Sequence, residues 1–146
     1  MGKTTNYKPE GFNSITAYIT VDDAAKFIDF VKDAFDGEEL HRYQPPGSDN
    51  IQHAVVKIED TFIECSDGSA ENPPMPAALH FYVPDVDAVY KKAIEAGGIG
   101  KSEPRDQFYG DRESLIKDPC GNNWYISTHI KDITEEELKM HEPASN

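Results

Sequence analysis

The feature that most constrains this chain is one phrase written twice. Residues 77–90 read as a short strand, a break and the start of a helix. Leu79, Phe81 and Val83 alternate with Ala78, His80 and Tyr82, so the two sets face opposite sides of a strand. Pro84 has no N–H to give a ladder and ends it. Asp85 can cap the helix that follows, where Val86, Val89, Tyr90, Ala93 and Ile94 form an apolar stripe up to Gly97-Gly98. The same order stands roughly 60 residues earlier, which is the mark of an internal repeat. Residues 15–21 alternate, and Asp22-Asp23 open a helix over 24–35. Its stripe is Ala24, Phe27, Ile28, Val31 and Ala34, and Gly37 closes it.

The intervening segments repeat as well. After the first helix, residues 38–43, 51–59 and 61–66 read as strands, with turn chemistry at 44–50 and a tight turn at Asp60. Residues 67–76 carry Gly68 and three prolines and form the natural linker. After the second helix, a short strand over 99–103, a loop over 108–111 and strands over 113–117 and 122–128 are expected. Asp118-Pro119-Cys120-Gly121 is the turn between the last two. Thr134 to Glu137 fits a capping box and starts a short terminal helix that ends before Pro143. The expectation is an α+β fold of two tandem βαβββ modules, about 14–67 and 77–129, within one domain spanning 12–130. Residues 131–146 then form a C-terminal helix and tail, and 1–13 a polar arm.

Composition narrows the function classes. With 146 residues the chain is long enough for a real core. Fourteen basic against 27 acidic residues leave a net charge of −13, which argues against nucleic acid, whose phosphates need a basic face. No apolar run approaches a membrane span, and residues 1–11 lack a signal-peptide core. Two cysteines, Cys65 and Cys120, make no disulfide framework and read as thiols of a reducing cytosol.

Sorting strands by face gives a candidate cavity. Ile15, Ala17, Ile19, Val21, Ile63, Cys65, Leu79, Phe81, Val83, Trp124 and Ile126 are apolar and should pack on the helices. The opposite face collects Tyr18, Phe62, Glu64, His80, Tyr82 and Tyr125 with smaller polar residues. A half-solvated sheet alternates in this way as a matter of course. This face, however, is rich in Tyr, Phe and His and poor in the Lys, Asp and Glu of an ordinary solvent face, which suits a small-molecule cleft better than open water.

A duplicated strand–helix–three-strand unit with these segments resembles the vicinal-oxygen-chelate superfamily of glyoxalases, bleomycin-resistance proteins and extradiol dioxygenases. It looks most like the PhnB-like branch. The resemblance rests on residues 18–35 and their repeat 81–96, on Tyr109-Gly110-Asp111-Arg112, on Asp118 to Trp124, and on Ser127-Thr128-His129 before the acidic segment 134–138. It implies a half-open mixed sheet around a cavity and a homodimer. It also implies four metal-ligand positions, one each in the first and fourth strands of each module. Here these hold Thr16, Glu64, Ala78 and Tyr125, of which only Glu64 is a good ligand. No metal or other cofactor is therefore expected at the usual positions. A displaced set of His53, Glu64 and His80 is the way a divalent metal could still bind.

The candidate ligand-binding residues are Tyr18, His53, Phe62, Glu64, His80, Tyr82, Arg112 and Tyr125, with Glu64 as candidate general base. Arg112 has two open readings, an anion clamp or a partner of Asp111 or of another chain's carboxylate. Two functions stay open. One is a cytoplasmic protein that binds a small molecule without a catalytic metal. The other is a lyase, transferase or dioxygenase working through a displaced metal or Glu64.

Overall fold

The structure, a computed structural model, describes residues 6–141. Residues 1–5 of the expected arm and 142–146 of the expected tail, Pro143 among them, lie outside the described residues. The chain divides into two compact units, Met1–Pro76 and Ala77–Asn146.

The first unit runs β1 (Ala17–Val21), α1 (Ala24–Phe35), β2 (Glu38–Tyr43), β3 (His53–Ile58) and β4 (Thr61–Asp67). Its sheet order is β1-β4-β3-β2, with β1 parallel to β4 and the other pairs antiparallel. The second runs β5 (Ala78–Tyr82), α2 (Val86–Glu95), β6 (Ile99–Asp106), β7 (Asp111–Lys117) and β8 (Asn123–His129), followed by α3 (Glu135–Lys139). Its sheet order, β5-β8-β7-β6, repeats the first with the same senses. The expected pair of βαβββ modules and the short C-terminal helix are both present.

Helix α1 forms because Asp23 accepts from Lys26 N at its start and its apolar stripe has a sheet to cover. Phe27, Ile28, Phe30 and Val31 are all buried, each contributing ~1.5–3 kcal/mol of transfer free energy. Gly37 closes its end as expected, with a different residue making the turn. Asp36, not Gly37, takes the left-handed conformation (φ 54°), since a short polar side chain tolerates it, and Gly37 N then closes onto Val31 O. In α2 only Val86 and Ala93 are buried, and Ile94, expected in the stripe, is exposed.

Several strand ends also move. β1 starts at Ala17, and Ile15, expected on the buried face, is 90% exposed because it precedes the ladder. Ala17 is exposed as well. Asp67, expected in the linker, is the last residue of β4. β6 runs on through Pro104, which an inner strand would not tolerate. It is accepted because β6 ends its sheet and its pairing with β7 shifts between Ser102 and Arg105.

Two acidic side chains fasten the modules. Asp67 accepts from Ala24 N and Ile51 N, both at 2.7 Å. Buried Asp118 accepts from Cys120 N (2.8 Å), Asn122 N (3.0 Å), Asn122 Nδ2 (3.0 Å) and Trp124 Nε1 (2.9 Å). The side chain of Asn122 in turn accepts from Ala77 N, which ties the turn to the start of β5. Trp124 is buried, as its strand parity requires. Burial, with Asp67 and Glu39 nearby, pushes the Cys65 thiol up to about 12 against the pull of Arg42.

Two outcomes follow. Asp118→Ala strands buried donors and should cost roughly 3 kcal/mol, read as a lower urea midpoint. In the native protein at pH 8, Cys65 should resist alkylation until the chain is unfolded, as peptide mapping by mass spectrometry will show.

Candidate functional site

The most convergent chemistry lies on one face of the second sheet. His80 and Tyr82 come from β5, Tyr125 and Ser127 from β8, and Asp111, Glu113 and Leu115 from β7. The register sets them side by side: His80 faces Tyr125, Tyr125 faces Leu115 and Ser127 faces Glu113. Gly110 aims the entry to β7. Its φ is +96°, and a Cβ there would run into Lys131 O, whose own N–H bonds to Gly110 O.

Hydrogen bonds join these groups. Ser127 Oγ donates to Glu113 Oε2 (2.9 Å), so it receives the proton of His80 Nε2, also at 2.9 Å. Tyr109 OH donates to Glu113 Oε1 at 2.6 Å. Tyr82 OH donates to Asp111 Oδ2 at 2.7 Å, and its ring stacks obliquely on His80 at 4.4 Å. His129 bridges Asp111 Oδ1 (2.8 Å, Nδ1) and Asp132 Oδ1 (2.7 Å, Nε2). Asp111 is only 5% exposed. Its burial raises the pKa of its carboxyl, but the bonds from His129 and Tyr82 outweigh this and hold it below the usual range. The bond to Asp111 raises the Tyr82 phenol, whereas burial and then the bond to Glu113 raise Tyr109.

A cavity of about 250 Å³ opens on this face, lined by Arg105, Gln107, Tyr109, Glu113, Leu115 and Tyr125 among others. A larger hollow of about 460 Å³ runs along β2 in the first unit. Its lining is mainly charged, and its Glu39 is already taken by Arg42 and Lys32, so the smaller cavity, which two tyrosines line, is the better site.

The sequence candidates divide between the units. In the first, His53 Nε2 lies 2.9 Å from Glu64 Oε1, with the rings of Tyr18 and His41 at 6.1 and 5.4 Å from that of His53. Phe62 is stacked under Phe12 (4.6 Å between centroids). In the second, His80, Tyr82 and Tyr125 share the face just described. Arg112 does not pair with Asp111, one of its expected partners. Strand alternation turns it to the other side, where Asp87 binds it through two bonds (2.7 and 2.9 Å) and Asp106 through a third (3.1 Å). Asp111, Glu113, Tyr109, Ser127 and His129 were not among the candidates. Sorting β7 by parity, which pairs Asp111 with Glu113 and Leu115, is the signal that finds the first two.

The sequence profile of the Glyoxalase/Bleomycin resistance protein/Dioxygenase superfamily matches residues 11–126. The chain belongs to that superfamily. An uncharacterized protein of Mycobacterium bovis is 31% identical over 138 residues, covering 86% of this chain and 90% of the relative. The crystal structure of TioX from a Micromonospora species has the same fold (TM-score 0.68, 19% identity, 81% of this chain, 99% of that one). So does TnmS3 from a Streptomyces species, described as an antibiotic binding protein (TM-score 0.61, 22% identity, 80% and 97%).

The metal the superfamily implies does not fit its usual positions here. Ala78 has no donor atom, Tyr125 offers a phenol, Thr16 an alcohol, and the carboxylate of Glu64 is engaged by His53. One carboxylate does not make the three or four N/O/S ligands that a transition metal takes.

His129 carries a pH signature. Asp132 first and then Asp111 raise its pKa above the ordinary 6.5. Because the folded value is the higher one, the stabilisation is complete below pH 6.5 and fades as pH rises through the raised value. In an NMR titration of metal-free protein, His129 should titrate above 6.5, and Asp132→Asn should lower its midpoint.

Proposed function

We propose that this chain is a small-molecule-binding member of the superfamily, with its ligand on the polar, aromatic face of the second sheet and no metal at the usual positions. One observation carries the reading: exposed Tyr82 and Tyr125 flank His80, beside a cavity whose polar groups, Arg105 and Glu113, come from paired positions. Flat rings with bonding tips hold a planar ligand at low entropic cost, and a few convergent polar groups orient it. The description of TnmS3 as an antibiotic binding protein supports the same reading, and the order of motifs resembles that of the PhnB-like branch. The net charge of −13 favours a cationic ligand, with Glu113 rather than Glu64 as its acidic contact. A homodimer in the cytoplasm is part of the proposal.

A second reading, an enzyme of the superfamily working off the usual metal positions, is favoured by the convergence of His80, Asp111 and Glu113. A ligand screen that includes bleomycin-like cations tests the first. For a hit, Tyr125→Ala should weaken binding by about tenfold, ~1.4 kcal/mol, in isothermal titration. Full affinity in that variant removes this face from the account.

A further inference from the structure

In the second unit, donor atoms of His80 from β5 and of Asp111 and Glu113 from β7 all lie within 4.8 Å of one another. None of these residues stands at a position the superfamily uses for its metal, since those here are Thr16, Glu64, Ala78 and Tyr125. The geometry points to a divalent transition-metal site built by His80, Asp111 and Glu113. It rests on the reading of this face as the ligand site and gives that face a metal as well as a cavity.

The donor set has the required chemistry. One imidazole and two carboxylates suit zinc, iron, nickel or manganese. Each carboxylate is already aimed by groups behind it: Asp111 by His129 and Tyr82, Glu113 by Tyr109 and Ser127. Such outer partners fix ligand orientation in metal sites. Among the described residues no Lys or Arg pairs with either carboxylate. The ring nitrogens of two histidines lie close to them, His80 Nε2 at 3.5 Å from Glu113 Oε2 and His129 Nδ1 at 2.8 Å from Asp111 Oδ1.

Two adjustments are needed. Donors on one ion, each ~2.1 Å from it, sit at most ~4.2 Å apart, so any pair near the 4.8 Å limit must close slightly. The His80 side chain, 42% exposed, has room to swing. Its Nε2 must also give up the proton it shares with Ser127, which the ring can carry on Nδ1 instead.

The test is titration of chelator-treated full-length protein with Zn²⁺ alone, by calorimetry. The expected result is one saturable site per chain, weakened at least tenfold in His80→Ala and in Glu113→Gln and retained in His53→Ala. Circular dichroism checks that the variants stay folded. No saturable heat, or binding that survives His80→Ala, overturns the site. Loss of binding in His53→Ala alone moves the metal to the first unit and also overturns it. A protein that gives no heat with zinc but still binds a small molecule through Tyr125 overturns the metal site and leaves the cavity reading standing.

Discussion

In each module the structure depends on the parallel pairing of its first and last strands. β1 lies on β4 and β5 on β8, so residues more than 40 positions apart become neighbours. One side chain at the end of the last strand seals each pair. Asp67 accepts from Ala24 N, the first residue of α1, and Thr128 Oγ1 accepts from Val86 N, the first residue of α2, while donating to Val83 O. A helix start leaves N–H groups without intrahelical partners. The modules satisfy one of them from the strand that must pair, which couples helix position to strand pairing. Without β5 on β8, His80 has no Ser127 and Glu113 loses its link to β5.

The second face is polar and partly buried, a combination that costs free energy unless every group is paired. Among the described residues no buried side-chain nitrogen or oxygen lacks a partner. Asp111 shows how this is met: two donors converge on a carboxylate hidden from water, and the opposing effect of burial is outweighed. Pairing of this density narrows the arrangements open to the carboxylates, while the more exposed His80 keeps room to move.

Much of this was legible in the sequence because the signals were local and periodic. α1 runs over the residues that its stripe and its Asp23 cap define, and α2 and β2 fall within a residue of expectation. Misplaced ends follow from tertiary context: Ile15 continues the alternation of β1 but precedes its ladder, and Pro104 is tolerated only at a sheet edge with shifted register. The site was half legible. His80, Tyr82 and Tyr125 follow from the parity of β5 and β8. Asp111 and Glu113 stand on β7, whose register is set by the turn that Asp118 holds together. That register joins Glu113 to Ser127 and so to His80, a relation that no spacing along the chain displays.

Duplication explains why the two faces differ in chemistry while sharing a topology. By register, Tyr18 of the first sheet corresponds to His80 of the second, Glu64 to Tyr125, and His53 to Glu113. The first module thus sets one histidine against one carboxylate across β3 and β4. The second has its histidine on the first strand and its carboxylates on the third, with a phenol where the first has Glu64. The scaffold needs only the alternation and the strand-end seals, so the inward residues are free to differ between copies. Two modules with one backbone plan therefore present different donor sets, and the richer set lies on the copy that also holds the tyrosine-lined cavity.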